Sequence, residues 1–193
     1  YTGDFHQLFS NKKNIPLVGG VFLLLPTILI NYQNIFYSIS IILIFILGFF
    51  SDQKILISAK KRFLLQITLI IFSVILLELK IVSSRVFFFD NLLQNIGFNI
   101  LFTSFCLLIL VNGSNFIDGL NGLLLFYMSL VIFVLFKLNL IDGTYVNKEL
   151  MIYLSFFIAI IILLNLCNLL MLGDAGAYLL SFFVGYLIIK CHY

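Results

Sequence analysis

Apolar residues fill this chain in long runs, and short polar segments cut those runs at nearly regular intervals. Between positions 16 and 50 no charged residue occurs, and NYQN at 31–34 divides that run into spans at about 17–31 and 35–50. Polar loops at 51–62 and 80–91 bound a third span at about 63–79. A fourth, at about 94–111, runs directly into NGSNFIDGLNGLL at 112–124. A fifth covers about 120–136 and a sixth about 150–168, and an LGDAG turn at 172–176 precedes a seventh at about 177–190. Each span is close to the roughly 17–25 apolar residues that carry a helix across a bilayer. Lipid leaves backbone groups no partners outside a helix or a closed barrel, and these runs show no two-residue alternation. The pattern predicts an all-α, polytopic membrane helix bundle of about seven transmembrane helices, with 1–193 forming one membrane-embedded domain.

Composition excludes the alternatives. The chain is 63% hydrophobic and 10% charged, with a mean hydropathy of +1.20, whereas soluble domains carry roughly 25% charged residues. A net charge of +3 gives no argument for nucleic acid and suits lysines at lipid headgroups. Cys106 and Cys167 lie in or beside apolar runs without a neighbouring Cys or His and read as small core residues. Cys191-His192 is too small a cluster for a metal site. The chain opens on Tyr1 rather than Met and ends within a few residues of an apolar run, so a fragment is expected; its first residues show no signal-peptide pattern.

Seven crossings place the segment before the first span, the 51–62 loop, the 112–124 motif and the LGDAG turn on one face. That face carries Lys12, Lys13, Lys54, Lys60, Lys61 and Arg62 in two tight groups, against Lys80, Arg85, Lys137, Lys148 and Lys190 opposite. The clustering assigns the first face to the cytoplasm.

The same face holds the unusual polar residues. In the central motif Asn112, Asn115, Asp118 and Asn121 recur every third residue, with glycines at 113, 119 and 122. On a continuous helix such a row drifts by roughly 60° per step, and the glycines favour a helix end or turn instead. Asp52 ends the second span and Asp174 lies in LGDAG. Three acids from three distant segments at one membrane depth can converge on a divalent cation. Each alone also suits a solvated helix end. The amides of Asn112 and Asn115 suit a nucleobase, sugar or phosphate, or cap the fourth span. Lys12 suits phosphate or snorkels to headgroups, and His6 stands alone. Gly19-Gly20 fits close packing between membrane helices.

Taken together, four segments resemble the polyprenyl-phosphate N-acetylhexosamine-1-phosphate transferases of glycosyl transferase family 4. NGSNFIDGLNGLL is similar to N-x-x-N-x-x-D-G-x-D-G-L, and LGDAGAYLLSFFVG at 172–185 to the family's Gly-Asp block. GFFSDQKILISAKKRFLLQ at 48–66 resembles G-F-x-D-D-x-x-x-L-S-x-x-x-R-x-x-x-Q with one extra residue before the serine. HQ at 6–7 followed by IPLVGG at 15–20 is similar to the opening histidine and P-x-x-G-G. The resemblance covers essentially the whole chain. It implies transfer of sugar 1-phosphate from a UDP-N-acetylhexosamine to a polyprenyl (undecaprenyl) phosphate at the cytoplasmic face of the plasma membrane. That step would begin a cell-surface polysaccharide or cell-wall lipid intermediate. It implies Mg²⁺ as cofactor, held by Asp174, and Asp52 and Asp118 as catalytic residues. Asp52 would order the lipid phosphate or accept its proton. Asp118 would sit with Asn112 and Asn115 at the nucleotide-sugar site, with Lys12 and His6 as further substrate-binding candidates. The expected partners are both substrates and the membrane, with a homodimer open and no nucleic acid.

The sequence departs from that pattern in places. Ser51-Asp52-Gln53 stands where the family has two adjacent acids, Asn121 replaces an acid, and Leu169-Leu170-Met171 replace a lysine-bearing segment. As a fragment, the chain is expected to lack the family's N-terminal span and its C-terminal histidine-containing part. A multi-span transporter or channel component is the alternative, since it too would hold isolated acids at membrane edges.

Overall fold

Each apolar run becomes a helix whose ends are set by identifiable residues. Asn34 Oδ1 accepts from the Phe36 and Tyr37 amides at 3.0 and 3.2 Å. Asn147 Oδ1 does the same for Glu149 and Leu150, and Asn95 Oδ1 for Gly97 and Phe98. These are side-chain caps on donors that a helix start leaves unpaired. The computed structural model describes residues 15–56, 58–118, 122–138 and 147–191. They form α1 (Gly19–Ile30), α2 (Ile35–Asp52), α3 (Ala59–Leu76), α4 (Phe87–Leu93), α5 (Ile96–Asp118), α6 (Leu123–Lys137), α7 (Lys148–Leu166) and α8 (Gly173–Lys190).

The all-α membrane bundle is as the pattern predicts, but the count of spans is corrected. Among the described residues four helices, α2, α5, α7 and α8, are long and apolar enough to cross a membrane, whereas α1 and α6 are apolar but shorter. The start of α3 draws Lys60, Lys61 and Arg62, expected in a loop, into its first turn. The unforeseen α4 lies largely in the loop read at 80–91, where Ser83 and Ser84 hydroxyls donate to the Asp90 carboxylate. Cys167 is exposed just past the end of α7 rather than in the core.

One helix organises the rest. Within α8, 83% of the residues lie inside the bundle, against 28–39% for the other three long helices. It is wrapped by α1, α2, α5 and α6, while α7 packs on α1 and α6. Small residues let the backbones close in. A Cβ on Gly48 of α2 would lie 2.5 Å from Ala175 Cα, and one on Gly19 of α1 would lie 2.8 Å from Leu172 Cα. The Gly19-Gly20 pair therefore serves close helix packing. The outer helices turn large apolar residues outward, among them Phe36, Ile46, Phe105, Ile109 and Phe156. An apolar outer surface around a tightly packed interior fits a lipid-facing bundle.

Backbone bonds fix which ends lie together. Met171 N–H donates to Pro16 O at 3.0 Å, and the Gly19 and Gly20 amides donate to Met171 O and Leu172 O at 3.0 and 3.1 Å. Leu17 and Met171 form an isolated parallel bridge. So α1 and α8 start side by side and run the same way. At the opposite end, Asn147 N–H reaches Ile30 O at 3.1 Å and Asn31 Nδ2 reaches the Tyr186 hydroxyl at 2.9 Å. The starts of α1, α3 and α8 thus share one end of the bundle with the ends of α2 and α5.

Candidate functional site

At that shared end, the first turn of α8 presents three consecutive amides with no partner in their own helix. Acids from two other helices accept them. The Asp174 amide donates to Asp52 Oδ1 at 2.8 Å and the Ala175 amide to Asp52 Oδ2 at 3.0 Å. The Asp118 carboxylate lies close to the Gly173 amide. A helix N-terminus carries roughly half a positive charge, which favours carboxylates there. Gly173 makes the approach possible: its φ is +76°, and a Cβ on it would stand 2.8 Å from Asp52 Oδ2.

Asp174 itself points elsewhere. Its Oδ2 accepts from Ser51 Oγ at 2.5 Å, and Arg62 Nη1 lies 2.6 Å from Ser51 Oγ and 3.4 Å from Asp174 Oδ2. The Asp174 and Arg62 side chains are 25% and 30% exposed, so this pair sits at the rim. Three carboxylates therefore crowd one helix start, and the described cation facing them is Arg62. The arrangement is electron-rich and ready to receive positive charge. Among the described residues, however, no three His, Cys, Asp or Glu side chains stand close enough together to hold a metal ion.

The end of α5 differs from the expected turn. The helix continues through Asn112 and Asn115 to Asp118, so the three polar residues wind around its last two turns. Asn112 Nδ2 bonds back to Leu108 O at 2.9 Å, and Asn115 is half-buried. A Cβ on Gly113 would meet nothing within 4 Å, so that glycine admits no close neighbour, whereas Gly122 opens α6 with φ +73°. LGDAG is likewise helix from Gly173 onward rather than a turn before a later span.

Across most of its length the chain matches one family model, described as Glycosyl transferase family 4, over residues 19–192. The chain belongs to that family. Comparison with curated proteins and with solved structures found no match. As a member of glycosyl transferase family 4 it is a transferase of the phosphosugar kind and a multi-pass membrane protein.

Of the residues singled out in the sequence, this family member brings together Asp52, Asp118 and Asp174. It keeps Asn112 and Asn115 on the adjoining turns of α5. His6 and Lys12 lie outside the described residues, as does Asn121. Sequence reasoning gave no role to Ser51, Arg62, Gln66 or Tyr178, all of which face this corner. The spacing held a signal: 62 and 66, like 174 and 178, are four apart and share a helix face.

Proposed function

We propose that this chain transfers an N-acetylhexosamine 1-phosphate from a UDP-sugar to a polyprenyl phosphate at the cytoplasmic face of the plasma membrane. The observation that carries the reading is the meeting of Asp52, Asp118 and Asp174 at the start of α8, beside Arg62. In the reaction, an oxygen of the lipid phosphate bonds to the β-phosphorus of the UDP-sugar. The bond from that phosphorus to the bridging oxygen breaks, and UMP leaves. A phosphate monoester is largely ionised near neutral pH, so the nucleophile needs no strong base. Positioning and charge neutralisation are what remain for the protein to supply.

Mg²⁺ suits this corner. It takes one or two carboxylates and fills its other positions with phosphate oxygens and water, so a cage of three protein ligands is not required. Asp174, at the rim, would hold the ion, with Asp118 next to it; the ion would neutralise diphosphate charge. Asp52, with both oxygens on backbone amides, fixes the turn that carries Asp174 and is a positioning residue in this reading. Asn112 and Asn115 offer donors and acceptors to the nucleotide sugar. The chain acts as a single membrane-embedded domain.

The test is UMP release by membranes containing the full-length protein, supplied with polyprenyl phosphate and a panel of UDP-N-acetylhexosamines. We expect release with at least one donor, and its loss in Asp174→Asn with membrane insertion unchanged. No release with any donor rejects the reading. Near-normal turnover of Asp174→Asn at limiting Mg²⁺ removes the metal assignment.

A further inference from the structure

Arg62 and Gln66 stand one turn apart on α3, and Asp174 and Tyr178 one turn apart on α8, so each pair shares a helix face. Among the described residues α3 packs on α2 and α5, while its backbone stays clear of α8. Across that gap long side chains of the two helices meet. At the rim Arg62 reaches Ser51 and Asp174. Deeper in, Gln66 is 2% exposed and lies against the Tyr178 side chain. Its Nε2 has the Tyr178 hydroxyl as a neighbour but makes no well-aligned hydrogen bond among the described residues. Buried amides in folded proteins are nearly always paired, so an orphan of this kind asks for a missing partner. That partner must be an acceptor, and the guanidinium above it favours an anionic one.

We infer that Arg62, Gln66 and the Ser51 hydroxyl form a subsite for phosphate oxygens, opening between α3 and α8. The inference rests on the sugar-phosphate transfer proposed above and names the side chains that hold a phosphate, as distinct from those that hold the metal. The guanidinium supplies a planar fork of donors matched to a phosphate. The Gln66 amide supplies a neutral donor one turn below it. The phosphate draws Arg62 off Asp174, which would leave that carboxylate free for a cation. Two sources present this chemistry: the monoester of the acceptor lipid and the diphosphate of the sugar nucleotide.

Binding of two probes to the full-length protein in detergent separates them without turnover. The probes are farnesyl phosphate and UDP-N-acetylglucosamine, each followed by its shift of thermal unfolding. Gln66→Met keeps side-chain length and removes the donor; Arg62→Lys keeps charge and removes the fork. For one probe we expect the apparent Kd to rise about 10–100-fold in both variants, the loss of a hydrogen bond to a charged group. The other probe should be unchanged, and the affected one names the source. Wild-type affinity for both probes in Gln66→Met overturns the subsite even where Arg62→Lys fails to fold, as does a wild type that binds neither. Farnesyl phosphate binding through these residues in a protein that never releases UMP keeps the subsite and rejects the reaction. UMP release with kinetics indifferent to both substitutions does the reverse.

Discussion

Asp52 is legible in the sequence as a residue, while its partners come only from the fold. Its position at the end of an apolar run marks it as functional, and a lone acid beside Ser51 and Gln53 invites a proton-acceptor role. Both of its oxygens accept amides of α8. A sequence cannot say which carboxylate will meet which amide 122 or more residues away. Removing the acid strands two donors, each worth about 1–3 kcal/mol when left unpaired in the interior. Asp52→Ala should therefore lower the thermal unfolding temperature of the detergent-purified protein and kcat together. Asp52→Asn, which keeps one acceptor, should fall between it and wild type on both measures. Activity lost at an unchanged unfolding temperature would instead assign Asp52 to the chemistry itself. Arg62 and Ser51 carry the complementary lesson. They lie in a loop by composition, and only the early start of α3 turns Arg62 toward Asp174.

At the scale of elements, the apolar runs predict seven of the eight helices among the described residues, because burial in lipid or core demands the same residues. The miss at α4 follows from Asp90, which sits in the first turn of a seven-residue helix and makes the segment read as polar. Ranking the helices was harder. The most buried of them, α8, is no more apolar than its neighbours; its distinguishing feature is a run of small residues, Gly173, Ala175, Gly176 and Ala177. Small side chains matter here because α2 crosses α8 at Gly48 on Ala175, next to the amides that Asp52 accepts. A Cβ at Gly48 would fall within 2.5 Å of backbone that cannot rotate away. Gly48→Val should push the helices apart at a cost of about 1–3 kcal/mol, as overpacking does. It should also reduce UMP release, because the shift moves Asp52 relative to the α8 start. Gly113→Ala, where added bulk meets nothing within 4 Å, is the control and should leave both stability and release near wild type. Equal behaviour of the two variants would remove the claim that the α2–α8 contact sets the site.

For the whole molecule, alternating spans put the polar segments on one face, and the backbone bonds between 16–20 and 171–172 give that face a physical basis. What alternation alone does not reveal is convergence. Segments on one face of a membrane can still lie far apart, and only the wrapping of α1, α2 and α5 around α8 draws them to one corner. The arrangement predicts sidedness that can be measured in intact cells. The native cysteines at 106, 167 and 191 are first replaced, and single cysteines are then introduced at exposed polar positions. Gln53 and Lys54 follow the end of α2 at the site end, whereas Gln33 and Asn147 lie at the opposite end, beyond α1 and before α7. A membrane-impermeant thiol reagent added outside should label cysteines at Gln33 and Asn147 and leave those at Gln53 and Lys54 unmodified until the membrane is opened. The reverse pattern would keep the fold and place the site outside, where UDP-sugars are not supplied from the cytoplasm. Labelling of one position from each pair would break the common end itself, and with it the argument that Asp52, Asp118 and Asp174 act as a unit.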